Sequence, residues 1–534
     1  MCHLRSPSIS NLKSPSSSPQ SGVVSAAIII SIGNVASRVM GLVRETVIAY
    51  LFGATGYVSV FRVASTIIQT LYDFLVGGMV SAALVPVFSD FASKENHDEL
   101  WRVASNVLNV LAIFLALALL VLEIFAPQLV WVLGGGYDAE LQRAAVDMLR
   151  LVLPAVFFLG MSGIVTGLLY SLKRFTYPAF TTAAYNLGIV IVAFALSPIF
   201  GITSLIIGIL IGSATQVVLQ VPGLRGMHYR FAIDFSHPAL RRILKLYLPV
   251  VGGLSISVVA VAIDRNLASH TGAQSLAWMQ DATVLVQFPL GLVATAISFA
   301  ILPELSNQYA REAFNIQTTE HRTLNTEHFQ STLAFGVKLV LLLILPAAIG
   351  LFVLARPIVA LLFEHGAFTS FDTTQTAMAL QFYLIGLPFA AIDQPLVFAF
   401  YARKNTLTPN LVQLVAVAIY LVVALTLMPT LGFIGLVIAN SAMLTGHALV
   451  MLWLTQTRLG GFGKSEMILT TTKIMLASIT MGAVAFLIVP RFSSALLQVL
   501  VSALVAGIVY VGLLLLLRVQ EISQLWNMVR ARIH

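Results

Sequence analysis

The chain has 534 residues, of which 58% are hydrophobic and 10% charged, with a formal net charge of +8 and a mean hydropathy of +0.93. Soluble chains carry about 25% charged residues, so most of this length belongs where ionised groups are costly, and a soluble protein is excluded. The single cysteine, Cys2, permits no internal disulfide, and the ten histidines show no metal-ligand spacing; the excess of Lys and Arg suits the loops of a membrane protein rather than a nucleic-acid partner.

A transmembrane helix needs roughly 20 mostly apolar residues. By that measure fourteen spans are predicted, at 23–51, 56–89, 101–125, 145–171, 177–198, 201–222, 245–268, 275–305, 333–354, 375–401, 409–427, 432–456, 469–490 and 495–517. The first, second and eighth exceed the minimum, which implies tilt or protruding ends. Residues 1–21, rich in Ser and Pro, are expected as a disordered cytoplasmic tail and 22–222 as a lobe of six spans. A basic cytoplasmic linker follows at 223–244, then a second six-span lobe at 245–457, and then 458–534 with two further spans and an amphipathic tail from Arg518. The connection 306–332 is expected as a solvated loop or short helix. Lys and Arg number eighteen in the tails and even connections but three, Arg143, Arg356 and Arg491, in the odd ones. That asymmetry places both termini on the cytoplasmic side.

Paired landmarks point to an internal duplication. Tyr170, Lys173 and Pro178 recur as Tyr401, Lys404 and Pro409, and Gly201, Leu205 and Ile207 as Gly432, Leu436 and Ile438, all at an offset of 231. Upstream, Ala83, Pro86 and Ser89 match Ala300, Pro303 and Ser306 at an offset of 217. Each repeat holds an even number of spans, so both lobes insert the same way round and are related by an axis along the membrane normal, with a central cavity between them.

Ionisable groups inside the bilayer are functional candidates by default. The first span carries Arg38 and Arg44, six residues apart, which sets them on related faces about 9 Å apart along the axis. The second span carries Arg62 and Asp73, eleven residues apart and on one face; the four together form a candidate polar wall for substrate binding. Paired guanidinium forks suit the oxygens of a pyrophosphate. The competing structural reading pairs the first-span arginines with Glu45, and Arg62 with Asp73. In the second lobe, Asp264, Arg265, Asp281 and Gln287 are gate or ion candidates, with snorkelling to the outer interface as the alternative for Asp264 and Arg265. Asp393, in Asp393-Gln394-Pro395, is expected to serve a proline kink. No phosphate loop, HExxH or GxSxG motif is present, so an enzyme is not expected, and neither a metal nor a cofactor is called for.

The run Ser37-Arg38-Val39-Met40-Gly41-Leu42-Val43-Arg44-Glu45, followed by Phe52-Gly53-Ala54, resembles the first-helix signature of the MurJ (MviN) lipid II flippases. Ala83-Leu84-Val85-Pro86, Phe288-Pro289, Ile301-Leu302-Pro303 and Phe400-Tyr401-Ala402-Arg403 fit the same pattern. The resemblance implies an all-α integral membrane protein of the MOP exporter superfamily in the bacterial inner membrane. Two six-helix lobes would surround the cavity, with two extra C-terminal helices offering a groove for an undecaprenyl tail. It implies that Arg38 and Arg44 are the essential first-helix arginines, that the substrate is the undecaprenyl-pyrophosphate-linked lipid II, and that membrane lipids and the cell-wall synthesis machinery are partners. Several positions depart from the family. Ser59 stands for an acid, Tyr72-Asp73 for a double arginine, Gly77 for a glutamate, Val284 for an arginine and Gln287 for a glutamate. Asp264 matches one ligand of the sodium site of some members, but 409–427 contains no acid, so sodium coupling is not implied. Another MOP-type exporter of an undecaprenyl-linked oligosaccharide, and a transport-incompetent scaffold, remain as alternatives.

Overall fold

The computed structural model describes residues 19–92, 97–314, 322–462 and 464–522. The expected tail segments 1–18 and 523–534, together with Glu320 and His321 of the long connection, lie outside the described residues. The described chain is helical throughout its membrane rods, because a backbone surrounded by hydrocarbon must satisfy its own hydrogen bonds.

The first rod is α1 (Pro19–Phe52), so residues 19–21, expected in the tail, are helical. The second is α2 (Gly56–Tyr72), which continues through π-helical segments at Asp73–Gly77 and Val80–Leu84 into α3 (Val85–Ala92). Then α4 (His97–Ile124) breaks at Phe125 into α5 (Ala126–Gly134), and α6 (Ala139–Val152) bends at Leu153 into α7 (Pro154–Ser171). The first lobe closes with α8 (Thr176–Phe200) and α9 (Thr203–Gln220). The second opens with α10 (Pro238–Ser269); α11 (Ser275–Pro289) then runs through a π-helical segment at Leu290–Ala294 into α12 (Thr295–Phe314). It continues with α13 (Arg322–Val353), broken at Leu354 into α14 (Ala355–Phe363), then α15 (Ser370–Ala402), α16 (Leu407–Leu431) and α17 (Phe433–Arg458). The last two helices are α18 (Lys464–Ile488) and α19 (Ala495–Leu516).

Twelve helices among the described residues are long and apolar enough to cross a bilayer. The first two expected spans have the length as well, but Arg38, Arg44 and Glu45 interrupt the apolar run of α1, and the π-helical segments divide the second rod. Outward-facing Phe114, Leu120, Ile124, Ile199, Leu504 and Leu516 are exposed, as suits a molecule whose solvent is hydrocarbon.

The duplication is written into the backbone. Lys173 and Lys404 both adopt left-handed conformations, with φ 59° and 58°, and each donates its N–H three residues back, to Tyr170 at 3.0 Å and Tyr401 at 2.9 Å. Gly201 (φ 52°, ψ −136°) ends α8 and Gly432 (φ 57°, ψ −135°) ends α16 in a region closed to side chains. Asp138 accepts the Leu141 N–H to start α6, and Thr369 accepts the Asp372 N–H to start α15. The π-helical segments at Asp73–Gly77 and Leu290–Ala294 stand at the offset of 217 noted upstream.

The lobes meet tightly at the end bearing the odd connections. Ala367 N–H donates to the Tyr50 carbonyl at 2.9 Å, where Gly366 (φ 61°) lies so close that a Cβ would fall 2.2 Å from that oxygen. Nearby, Gly136 N–H donates to Ser269 Oγ at 2.9 Å, and Asn266 Nδ2 to the Val132 carbonyl at 3.0 Å. At the opposite end a second apolar cluster joins Val87, Leu100, Val107 and Leu168 of the first lobe to Ala239, Ile243 and Tyr247 of α10. The expected linker 223–244 is therefore helical from Pro238, and the first turns of α10 pack with the first lobe. Tyr247 Oη donates to the Phe74 carbonyl within this cluster.

One asymmetry shapes the interior. α1 lies directly along α8, where a Cβ on Gly33 would meet the Ala179 carbonyl oxygen at 2.2 Å. Its counterpart α10, drawn toward the first lobe, stands away from α16 and leaves the second lobe hollow.

Candidate functional site

The charges of α1 sit where that helix faces the second lobe. Arg38 is half-buried and donates from one terminal nitrogen to the Gln287 carbonyl of α11 at 3.0 Å. Its guanidinium lies on Gly291, in the π-helical segment after α11; a Cβ there would come within 1.9 Å of the guanidinium carbon. Arg38 thus crosses between lobes and is held by a neutral carbonyl rather than by an acid.

Arg44 is differently placed. It donates from Nε to Glu45 Oε1 at 3.1 Å and from a terminal nitrogen to the same carboxylate, while its other nitrogen reaches Asn186 Oδ1 at 3.0 Å. Asn186 Nδ2 in turn holds the Ser37 carbonyl at 3.3 Å. The expected Glu45 pairing is therefore present for Arg44. Glu45 is fully buried and also pairs with Arg62, which reaches Asp281 at 3.4 Å. Arg62 and Asp281 are themselves buried, at 7% and 4% side-chain exposure. The result is a chain of alternating sign, Arg44–Glu45–Arg62–Asp281, running from α1 through α2 to α11 and so from one lobe to the other. Burying Glu45, Arg62 and Asp281 is tolerable only because each has an opposite neighbour.

This geometry revises two expectations. Arg62 and Asp73 neither pair nor form one wall with the α1 arginines: Arg62 turns into the interlobe interior, while Asp73 is exposed and accepts from Gln69 Nε2 at 3.0 Å. Asp73 lies just past the end of α2, where the rod turns π-helical and its surroundings change. Asp264 and Arg265 do not snorkel to the outer interface. They line the hollow of the second lobe, a cavity of about 370 Å³ also bounded by Thr283, Gln287, Tyr383 and Asn440. There Asp264 accepts from Tyr420 Oη at 2.6 Å, and Arg265 donates to Gln280 Oε1 at 3.2 Å while standing 3.9 Å from Asp264.

Between the lobes lies a smaller cavity of about 120 Å³, lined by Arg38, Gly41, Leu42, Arg44, Glu45, Val284, Gln287 and Phe288. Gln287 borders both cavities, so α11 is the wall between them. Ser59, at a position where an acid was noted in the family, is buried and accepts the Ala277 N–H at 3.3 Å.

Two clusters escaped sequence reasoning. His447 of α17 stands 2.9 Å from Asp393 of α15; the proline kink drew attention to Asp393, but nothing local marked its partner. Lys338 of α13 pairs with Glu466 at 2.5 Å and Glu521 at 3.2 Å, which ties α18 and the stretch after α19 to the second lobe. A lysine inside an apolar span was the available signal.

A family model described as "Lipid II flippase MurJ" matches residues 48–507, a stretch that begins just after Arg44. The chain is similar to "Lipid II flippase MurJ" of Burkholderia cenocepacia, at 29% identity over 76% of this chain and 78% of that one. It is also similar to "Probable lipid II flippase MurJ" of Bdellovibrio bacteriovorus, at 27% identity over 94% and 96%. Among solved structures it resembles "Lipid II flippase MurJ, inward closed conformation", with a TM-score of 0.77, 26% identity and coverage of 91% and 98%. An inward-facing multidrug resistance MATE family transporter of the MOP superfamily shares the fold, with a TM-score of 0.65 at 15% identity over 79% and 94%. With its two lobes, its charged interlobe cleft and a family match over most of its length, the chain belongs to the MurJ family of lipid II flippases.

Proposed function

We propose that this chain is a lipid II flippase of the bacterial inner membrane, moving its substrate outward by alternating access with both termini in the cytoplasm. The orientation rests on the eighteen-to-three distribution of Lys and Arg between the two sides. It makes the tightly joined odd-connection end the periplasmic seal and the cleft beneath it the substrate route.

One observation carries the site assignment: Arg38 faces the cleft and, among the described residues, its guanidinium is held by the Gln287 carbonyl and not by an acid. A pyrophosphate outcompetes a neutral carbonyl for a guanidinium, since it offers paired, negatively charged oxygens to the planar fork where the carbonyl offers one neutral acceptor. Arg38 is then the mobile ligand, and Arg44, oriented by Glu45 and Asn186, the fixed one. Arg62 and Asp281 act on the seal rather than on the substrate, by joining α2 of one lobe to α11 of the other. Asp73 lies apart from this group. The cleft is closed down to about 120 Å³, so a lipid-linked sugar peptide enters only after the lobes part. The membrane potential, worth about 2.3 kcal/mol per charge per 100 mV, is the energy source that asks for no further chemistry of this chain. Enzymes of cell-wall synthesis supply the substrate on the cytoplasmic face.

The test is lipid II translocation, with protein abundance, in cells depleted of their own flippase. Arg38→Ala is expected to accumulate normally and fail to transport, whereas Arg44→Ala loses both, because Glu45 is left buried with one partner fewer. Normal translocation by Arg38→Ala would overturn the assignment.

A further inference from the structure

The connection from α9 to α10 is an extended strap rather than a loose loop. After one 3-10 turn at Val221–Leu224, residues 225–237 run along the α4 surface, and polar side chains there hold the backbone at alternate positions. Arg230 N–H donates to Ser105 Oγ at 3.2 Å, the Ala232 carbonyl accepts from Asn109 Nδ2 at 2.9 Å, and Asp234 exchanges two bonds with Asn106, at 2.7 and 3.0 Å. Arg174 ties down the strap's beginning, donating to the Gly223 and Arg225 carbonyls at 2.5 and 3.0 Å.

The residues between these anchor points are large and apolar, and they are left uncovered. Phe231 is 76% exposed, Phe235 66%, Tyr229 56% and Ile233 41%. An alternation of this kind ordinarily turns apolar side chains toward a core, yet here the polar anchors take the helix; Tyr229 stays on it through its hydroxyl, which donates to Asn109 Oδ1 at 2.6 Å, while Phe231, Ile233 and Phe235 are left exposed. The same stretch is strongly basic: Arg225, Arg230, Arg241, Arg242 and Lys245 stand against one acid, Asp234, within 223–245. Both ends of the strap are covalently continuous with helices long and apolar enough to cross a membrane.

We propose that the strap is an interfacial anchor for anionic phospholipid, with Phe231, Ile233 and Phe235 entering the acyl boundary and Arg225, Arg230, Arg241 and Lys245 meeting headgroup phosphates, Arg242 being paired with Asp90. The proposal rests on the cytoplasmic orientation given above but not on the identity of the transported lipid. It also gives the anchor leverage on transport: the strap leads directly into the turns of α10 that carry Ile243 and Tyr247 into the first lobe's cluster, so lipid that holds the strap holds the joint between the lobes.

The experiment uses the full chain with Cys2→Ser and Phe231→Cys, spin-labelled and reconstituted in vesicles of phosphatidylcholine alone or with phosphatidylglycerol. Phe231 is largely exposed, so the change removes little packing. The label is expected to be oxygen-accessible and shielded from a water-soluble nickel chelate when phosphatidylglycerol is present. Adding Arg230→Gln and Arg241→Gln should lower that shielding by about fivefold for each charge removed. Equal shielding in phosphatidylcholine alone would overturn the headgroup selectivity, chelate access in both vesicles would place the strap in water, and a label shielded from oxygen as well as from the chelate would mean that protein covers it. A tail-less soluble pyrophosphate that fails to alter transport would count against the flippase reading and leave the strap untouched.

Discussion

Gly291→Ala isolates the role of Arg38 without touching a charge. A Cβ at Gly291 would lie 1.9 Å from the Arg38 guanidinium carbon and 2.3 Å from one of its nitrogens, far inside contact distance. The obstructing group is the end of a flexible side chain, so Arg38 leaves its seat while the helices stay where they are. What is lost is one hydrogen bond from a cation to a carbonyl, 3.0 Å long and half-exposed. Such bonds contribute about 1.5–3 kcal/mol, and partial exposure argues for roughly 1–2 kcal/mol here. If the bond exists only when the lobes are together, the closed population falls by about 5- to 30-fold relative to the open one. The assay is the reactivity of Val284→Cys, which lines the interlobe cavity, toward a charged thiol reagent in a Cys2→Ser background. Gly291→Ala and Arg38→Ala should each raise that rate by the same factor, and the two together should do no more than either alone. Unchanged reactivity in Gly291→Ala, or additive effects in the pair, would refute the idea that the guanidinium seat holds the lobes closed.

Arg62→Ala should cost about 3–5 kcal/mol, because Glu45 and Asp281 remain buried without it. Arg62→Met with Asp281→Leu should regain most of that in thermal unfolding, and an unrecovered double variant would show that the pairing is not the cause. Gly201→Ala and Gly432→Ala should each lower stability by about 1–3 kcal/mol and by matching amounts, since a Cβ meets nothing within 4 Å at either site and backbone strain alone is at stake; unequal losses in melting temperature would contradict the equivalence of the two repeats. Lys338→Met should leave Glu466 and Glu521 facing each other without their cation and speed proteolysis between α17 and α18, while Lys338→Arg should not.

The departures from the expected site have a common origin. Arg38 and Arg44 differ in partner, not in type: one meets a carbonyl of α11, the other the acid beside it. A helical wheel places both on related faces and says nothing of which neighbour each face meets. The eleven-residue spacing sets Arg62 and Asp73 on one face of an ideal helix, yet Arg62 is packed among the charges of two other helices and Asp73 is exposed. Asp264 and Arg265 look interfacial on a hydropathy plot, but they line a cavity because α10 stands away from α16.

By itself the sequence determined the helical rods, the repeat and the glycine and proline positions where rods end or bend. These are local consequences of one requirement, that a backbone in hydrocarbon bond to itself over a fixed thickness, so a window of adjacent residues is enough to reveal them. Only the tertiary structure decided that Glu45 joins Arg44 to Arg62 and, through it, to Asp281, that Gly291 seats Arg38, and that one lobe is filled while its twin is hollow. Those outcomes depend on how each rod is rotated and how closely the lobes approach, quantities settled by the packing of side chains more than two hundred residues apart.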